Sequence, residues 1–478
     1  MKTRTRNRFL AGLTGLVFAG AFASSRPASA QGSASAAPSA FTVPVEYYKL
    51  PSGLKVVLSR DTTAPTAVVA VYYNIGFRIE PRDRTGFAHL FEHMMFQGSQ
   101  NLGKMEFVKL IQANGGVMNG STRFDFTNYF QIVPSNALET VLWAEADRMR
   151  GLAITQENLT NQQGVVKNEV KVNVLNRPYG GFPWLDLPQY ANTNWYNAHN
   201  FYGDLKDLDA ATLEDVKKFF STYYAPNNAA LVVVGDFDPA QARGWIEKYF
   251  AGIQGTPRPA APDISEPRQE KEKRASKADS LATRPALAVG YHTPKRNTPE
   301  YFAMGLLDQI LLQGKDSRLY EALVQRSGLT GDVEGGINLL GNMHNINGPT
   351  LWMASLFHDA DKTPEAILKV FDAEVEKLRT TPVDAATLDR AMVKMRSQLY
   401  DDIEGFFGFG RADLLASFAL FDDDPGRINR LEDEFRKVTP QLLLATAKEY
   451  LRPTNRTILT VEPKAEAKPA AAAPEKKS

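Results

Sequence analysis

The sequence of 478 residues contains no cysteine and only six histidines. Without cysteine the chain has no disulfide, no thiolate nucleophile and no thiolate ligand, so a metal site must use histidine, aspartate or glutamate. Neither positive nor negative residues are in large excess, because 55 lysines and arginines balance 54 aspartates and glutamates. This balance provides no basic field for nucleic acid, and we expect no nucleic-acid partner.

Long apolar runs are missing beyond the first thirty residues, so we expect no membrane span in the mature chain. The first thirty residues combine a basic start, an apolar run at Phe9–Ala23 and a small-residue cleavage site at Ala28–Ala30. This pattern is typical of a signal peptide over residues 1–30 and predicts export to a bacterial periplasm. Residues 31–44 and 463–478 are rich in proline and small or charged residues, and we predict a flexible leader and a disordered tail there.

What is present is a short motif, H-L-F-E-H, at residues 89–93. Histidines four positions apart lie one turn apart on the same helix face, so His89 and His93 can bind one metal ion. Glu92 shares that face, and a carboxylate beside the metal can take the proton of an attacking water. The alternative is an amphipathic helix whose histidines fall at core spacing. The H-x-x-E-H order is the inverted form of the zincin motif and favours the metal site.

A catalytic zinc site of this kind needs a third protein ligand, which here must be another histidine or a carboxylate. In the helix predicted over Thr155–Asn176, Val165, Glu169 and Val172 share one face. Glu169 is therefore predicted to lie on a partly apolar face, where a buried carboxylate is costly unless it is paired or bound to metal. A glutamate at the edge of that face, reaching solvent, explains the pattern equally well.

The domain organisation is indicated by a change in composition. Residues 255–282 are first rich in proline and alanine and then highly charged, which predicts a linker between domains at 45–254 and 283–462. The final helix and strand, within residues 440–461, repeat the order predicted within residues 212–234. We therefore predict an α+β chain of two similar domains, each a mixed β-sheet packed with helices.

Four stretches with the correct order and spacing carry a resemblance to a known family: TGFAHLFEHMMFQGS, GGVMNGSTRFDFTNYF, NQQGVVKNEV and YYAPNNAALVVVGDFD. The sequence resembles the pitrilysin/insulinase metallopeptidases, especially half-length members akin to the beta subunit of the mitochondrial processing peptidase. The resemblance implies one zinc ion per chain, bound by His89, His93 and Glu169, with Glu92 as the general base. It also implies that the chain forms half of a clamshell that encloses peptides or small unfolded proteins and cleaves them as a zinc endopeptidase.

The chain departs from the family pattern at three positions. Many members have a second glutamate seven positions before the third ligand, where this chain has Gln162, and we expect its amide to support the site without charge. Active members usually contribute an arginine and a tyrosine from the C-terminal half, at positions where this chain has Val324 and Gly331. Neither residue has a side chain that can donate a hydrogen bond to the substrate.

A partner subunit would supply the missing pair. A heterodimer with a related, zinc-less chain that retains the arginine and the tyrosine is the sharper hypothesis, and a homodimer is the alternative. A rival hypothesis from another class is a zinc-bearing subunit for peptide binding or assembly, with negligible turnover by itself.

The stretch GGVMNGSTRFDF predicts an edge strand beside the site, to which an extended peptide can add through backbone hydrogen bonds. Asn119, Gly120 and Ser121 are the substrate-binding residues that this arrangement predicts. An internal hairpin strand with no substrate role is the alternative.

Overall fold

The computed structural model describes residues 41–463. The predicted signal peptide, most of the predicted leader and all but the first residue of the predicted tail therefore lie outside the described residues. In the part of the chain that is described, no helix is long and apolar enough to cross a membrane.

The first half of the described chain is built from the following elements. Its strands are β1 (Glu46–Lys49), β2 (Lys55–Arg60), β3 (Thr66–Tyr73), β4 (Val117–Thr122), β5 (Thr127–Pro134) and β6 (Ala229–Gly235). Its helices are α1 (Phe87–Met94), α2 (Glu106–Ala113), α3 (Leu138–Arg150), α4 (Gln156–Val170), α5 (Asp186–Ala191), α6 (Trp195–Ala198), α7 (Leu205–Ala210), α8 (Leu213–Tyr223) and α9 (Pro239–Phe250).

The second half repeats much of this order. Its strands are β7 (Lys273–Asp279), β8 (Ala286–His292), β9 (Glu334–Ile337), β10 (Leu351–Phe357) and β11 (Arg456–Pro463). Its helices are α10 (Pro299–Leu311), α11 (Pro364–Thr380), α12 (Ala385–Glu404), α13 (Phe409–Asp422), α14 (Leu431–Arg436) and α15 (Pro440–Tyr450).

Several of these helices start at a signal that is visible in the sequence, a threonine or aspartate followed by proline. In α9, α10, α11 and α15 the capping side chain accepts a hydrogen bond from a backbone N–H in the first turn, and proline occupies the first helical position. Proline fits there because its missing N–H has no partner in the helix, and its fixed φ suits a helix start.

The two sheets have the same topology. The first has the strand order β1-β2-β6-β3-β5-β4 and the second the order β7-β11-β8-β10-β9. In each sheet one pair is parallel, β2 with β6 and β7 with β11, and the other pairs are antiparallel. When β1 is set aside, the strands correspond one to one. The predicted fold class, two similar mixed sheets packed with helices, is confirmed.

A continuous apolar core connects the two halves. One face of the first sheet, including Val68 and Val232, belongs to the same buried cluster as Leu415 and Phe418 of α13. The opposite face, including Val69 and Val233, packs against the first half's own helices. Each face of the first sheet is therefore covered, and the half that carries the motif is held against the second half by α13.

Three segments differ from the sequence-based expectation. The charged run at 273–279, expected in the linker, forms strand β7, which pairs in parallel with β11 through contacts such as Lys273 with Thr457. Its alternating exposure suits an edge strand with charged side chains, and the pairing partner lies far away in the sequence. Residues 177–202 are rich in proline, glycine and aromatic residues, which predicts a structured loop, but they contain the short helices α5 and α6. Helix α4, predicted to continue to Asn176, changes to a π-helical turn at Lys171–Leu175.

Candidate metal centre

Helix α1 carries the H-L-F-E-H motif, and its apolar residues determine which face is buried. Gly86 begins the helix in the left-handed conformation, with φ 84°. Leu90, Phe91 and Met94 are buried in the core of the first half. His89 is buried beside them, whereas Glu92 and His93 are only partly buried at the edge of that face. The helix therefore presents three polar side chains along one border of its apolar face.

The structure brings the two histidines to the predicted third ligand. Nε2 of His89 lies 3.4 Å from Oε1 of Glu169, and Nε2 of His93 lies 3.1 Å from Oε2 of the same carboxylate. One ligand atom from each residue lies within 4.8 Å of the other two, and no second group of three or more such residues occurs within residues 41–463.

These residues fit a zinc ion in both chemistry and geometry. Two imidazoles and one carboxylate form a typical catalytic donor set. Tetrahedral bonds of about 2.1 Å place neighbouring ligand atoms about 3.4 Å apart, close to the separations seen between Glu169 and the two imidazoles. Hydrogen bonds from His89 and His93 also hold the pKa of Glu169 well below its usual range, so its carboxylate is ionised and available as a ligand.

The helix face that carries Glu169 is largely exposed. Val165 and Val172, which share its helix face, are 42% and 56% exposed, whereas Val166 and Val170 are buried in α4. Glu169 therefore lies on a partly exposed face of this helix, which agrees with the alternative of a glutamate at the edge that reaches solvent. The carboxylate reaches the histidines from an open face of α4, and the valines beside it are accessible.

Glu92 is held by a residue that the sequence analysis did not identify. Thr122, in β4, donates a hydrogen bond from Oγ1 to Oε2 of Glu92 at 2.7 Å. Gly120 lies on the same face of the strand, where an added Cβ would lie 3.4 Å from Cγ of Glu92. Because alternate residues of a strand share a face, the placement of Gly120 at the site also places Thr122 there.

The strand β4 lies at the edge of its sheet, as predicted. Asn119 pairs with Phe130 and Gly120 with Tyr129 across the neighbouring strand β5. Successive residues of a strand point to opposite faces of the sheet. The side chains of Asn119 and Ser121 therefore point away from the face that carries Gly120. Asn119 Oδ1 accepts from the N–H of Gly120, and Ser121 donates to Asn128. The predicted contact of Asn119 and Ser121 with a substrate therefore involves their backbone groups.

The remaining predicted residues are placed as follows. Gln162 is buried in α4, and its amide donates to Asn161 Oδ1 at 2.7 Å. Nδ1 of His89 is buried and has no hydrogen-bond partner among the described residues. Val324 lies in a π-helical segment, Tyr320–Arg326, and a Cβ built on Gly331 meets no atom of the described chain within 4 Å.

A buried carboxylate supports the start of α1. Oε2 of Glu80 accepts from the N–H of Gly86 at 2.9 Å and Oε1 from the N–H of Ala88 at 2.5 Å. Burial raises the pKa of Glu80 to about 8, although the two N–H donors favour its ionised form. Glu80 lies outside the motif, and no spacing in the sequence links it to the histidines.

Comparison with known proteins agrees with this geometry. A family model described as insulinase (peptidase family M16) matches residues 55–178, which contain both histidines, Glu92 and Glu169. A second model, described as the peptidase M16 inactive domain, matches residues 210–395, which contain none of these four. The chain belongs to the insulinase family, peptidase family M16. The family recognised from the sequence motifs is therefore confirmed.

Relatives within the family match over most of the chain. The zinc protease PqqE of Helicobacter pylori is 26% identical over 424 residues, which are 87% of this chain and 93% of that protein. The crystal structure of a protease from Helicobacter pylori has a TM-score of 0.79 at 26% identity, covering 88% of this chain and 100% of that one.

A third comparison concerns length. The crystal structure of the periplasmic protease PqqL from Escherichia coli has a TM-score of 0.70 at 16% identity. The match covers 88% of this chain but 48% of that chain. At this identity the similarity concerns the fold alone, and this chain corresponds to about half of that structure.

Proposed function

We propose that the protein is a zinc-dependent endopeptidase, exported to the periplasm, that cleaves peptides or small unfolded proteins. The observation that carries this proposal is the convergence of His89, His93 and Glu169 from two helices, with Glu92 beside them. Membership of a peptidase family supports it, as does the similarity to a protein named a zinc protease. The signal-peptide pattern of residues 1–30 supports export.

The edge strand β4 is the proposed binding site for the substrate. An extended peptide that pairs with β4 gains backbone hydrogen bonds, and Gly120 leaves room for its backbone close to Glu92. A zinc ion bound by His89, His93 and Glu169 would lower the pKa of the attacking water and polarise the scissile carbonyl.

Glu92 is the proposed general base. Thr122 donates to its Oε2, which orients the carboxylate and leaves Oε1 to take the proton of the attacking water. The same carboxylate then passes the proton to the leaving amine, so that the base of the first step acts as the acid of the second. This exchange needs no further titratable group from the chain.

A partner subunit is part of the proposal. Val324 and Gly331 offer no donor for the substrate carbonyl, and the loss of one such donor typically costs a factor of about 10²–10³ in rate. We infer that the chain is one half of a clamshell and that the other half supplies the arginine and the tyrosine. A heterodimer with a zinc-less relative is favoured over a homodimer, since a homodimer would bring the same two residues twice.

A second function is favoured by the same two positions. The chain could bind zinc and peptide yet turn over negligibly, as a subunit for peptide binding or assembly. Cleavage of a quenched fluorescent peptide separates the two functions. We expect the chain alone to cleave the peptide slowly, in a reaction that a chelator abolishes and zinc restores. A zinc-loaded chain that binds the peptide without any detectable cleavage would favour the second function.

The role of the partner is tested by restoring the pair. The double substitution Val324→Arg, Gly331→Tyr is sterically feasible at residue 331, where a Cβ meets open space. The variant keeps its own proposed zinc ligands, so two variant copies that pair supply the arginine and the tyrosine to each other's site. The variant alone is therefore expected to cleave faster than wild-type chain, provided that two copies can pair. Equal rates for the variant and wild type would contradict the inferred role of these positions or the pairing of two copies.

A further inference from the structure

Tyr202 lies beside the metal site, although it belongs to none of the motifs. Its ring centroid is 5.3 Å from that of His89. Burial raises the pKa of its phenol, and the negative charges of Glu169 and Glu92 raise it further. The phenol therefore lies near the proposed third ligand and the proposed base, and its ring is in contact with His89.

The backbone around Tyr202 is fixed against the start of helix α1. Gly203 has φ 79°, and a Cβ there would lie 2.4 Å from the backbone nitrogen of Gly86. The N–H of Tyr202 donates to Asn200 Oδ1 at 3.0 Å, and the N–H of Asp204 donates to Thr85 Oγ1 at 2.8 Å. Such close backbone contact leaves the turn little freedom to move relative to α1.

The ring of Tyr202 is also confined. Its centroid lies 6.1 Å from that of Phe77 and 5.6 Å from that of Trp184, in addition to the contact with His89. Within residues 41–463, by contrast, no side chain or backbone group forms a hydrogen bond with its hydroxyl. A phenol with a fixed ring and an unused donor beside a proposed catalytic carboxylate is suited to bind a polar group of a ligand.

We propose that the Tyr202 hydroxyl donates a hydrogen bond to the oxygen of the scissile carbonyl as negative charge develops on it. The inference rests on the proposed peptidase function and extends it to a residue that contacts the substrate. It identifies a donor within the first half of this chain, where positions 324 and 331 of the second half provide none. Hydrogen bonds aimed at developing charge stabilise the transition state more than the bound substrate.

A purely structural role for Tyr202 predicts a different result. If the ring only packs against His89, removal of the hydroxyl leaves every contact of the ring in place. The substitution Tyr202→Phe therefore separates the two roles, because it removes the donor and keeps the packing. Tyr196→Phe is the matched control, since the Tyr196 ring contacts Trp195 and Arg82 instead.

The test compares two ligands bound to zinc-loaded chain of equal metal content. One is a phosphinic peptide, whose tetrahedral anionic oxygen imitates the developing charge, and the other is the matching unmodified peptide, measured in the Glu92→Gln background. Tyr202→Phe is expected to weaken binding of the phosphinic peptide about 10-fold or more and to leave binding of the unmodified peptide within about twofold. Tyr196→Phe is expected to change neither affinity.

Two outcomes would overturn the inference while leaving the proposed function intact. One is an unchanged affinity for the phosphinic peptide, and the other is an equal loss for both ligands, which indicates a structural role. If wild-type chain loaded with zinc binds neither peptide, the proposed function fails, and the role of Tyr202 fails with it.

Discussion

The carboxylate of Glu80 accepts a hydrogen bond from the backbone N–H of Ala88, the residue immediately before His89. Its second oxygen accepts from the N–H of Gly86, and the whole side chain is buried. The first N–H groups of a helix have no partner within the helix. Glu80 therefore satisfies two of them at the start of α1, the helix that carries His89 and His93.

Replacement of Glu80 tests its role as a positioning residue. Glu80→Ala leaves two buried N–H groups without acceptors, at a cost of about 1–3 kcal/mol each. We expect a lower free energy of unfolding and weaker zinc binding, measured by denaturant titration and by metal competition. Glu80→Gln retains one acceptor oxygen and should lose less stability and less zinc affinity than Glu80→Ala. An unchanged unfolding midpoint in Glu80→Ala would contradict this role.

The assignment of Glu169 as the third ligand gives a prediction for zinc affinity. Glu169→Gln retains the size of the side chain but removes the ionised carboxylate that lies within 3.4 Å of both imidazoles. We expect zinc affinity to fall by at least about 100-fold in competition with a chelator. Glu157→Gln is the matched control, because Glu157 is exposed at the start of the same helix. Similar affinities for the two variants would exclude Glu169 as a ligand.

The edge strand gives a prediction for substrate binding. A Cβ at Gly120 would lie 3.2 Å from Cδ1 of Tyr129 and 3.4 Å from Cγ of Glu92. Gly120→Ala should be tolerated with a small loss of stability. Gly120→Val should crowd both neighbours and lower the stability by about 1–3 kcal/mol. We expect Gly120→Val to lower kcat/KM about 10-fold or more at normal zinc content. Gly244→Ala, where a Cβ meets no atom of the described chain within 4 Å, is the control.

A pH-dependent contribution to stability is expected from Asp308. This residue is buried in α10 and accepts a hydrogen bond from Nε1 of Trp352 at 2.6 Å. Burial raises its pKa from 3.8 to about 7. Between these two values the folded chain holds a proton that the unfolded chain has released, so the stability that Asp308 provides is lost as the pH rises towards 7.

The substitution Asp308→Asn removes this titration and retains an acceptor for Trp352. In the presence of a chelator, we expect wild-type chain to lose of the order of a few kcal/mol of stability between pH 5 and pH 8 through this group. The variant should show a flatter dependence in denaturant titrations. Asp316→Asn is the control, because the pKa of Asp316 is lowered by Lys394 and its titration lies below this range. Parallel pH profiles for wild type and Asp308→Asn would contradict the expectation.

Much of the fold could be predicted because its signals are local. The continuous valine-rich runs of β3 and β6, the glycines before β4 and the threonine–proline starts of α10 and α11 each indicate a segment from nearby residues. Strand β7 could not be predicted, because its charged sequence resembles a linker and its pairing with β11 depends on contacts far away in the chain. Short helices such as α5 depend equally on tertiary packing.

The candidate site also combines features with local sequence signals and features that depend on tertiary contacts. The spacing of His89 and His93 predicts their common face, and the family resemblance predicts Glu169 as the third ligand. The orientation of α4 could not be derived from the sequence, because the pattern of valines does not distinguish a buried face from an exposed one. Glu80 and Tyr202 come from loops that reach the site only through tertiary contacts, so no spacing indicated them.

The most direct test of the account is the cleavage rate of Glu92→Gln against wild type, with both chains loaded to the same zinc content. The substitution keeps the proposed ligands His89, His93 and Glu169 and removes only the proposed base. We expect stoichiometric zinc in both and a loss of about 10²–10⁴ in kcat for the variant. A variant that binds zinc equally and cleaves the peptide at the wild-type rate would contradict the proposed mechanism.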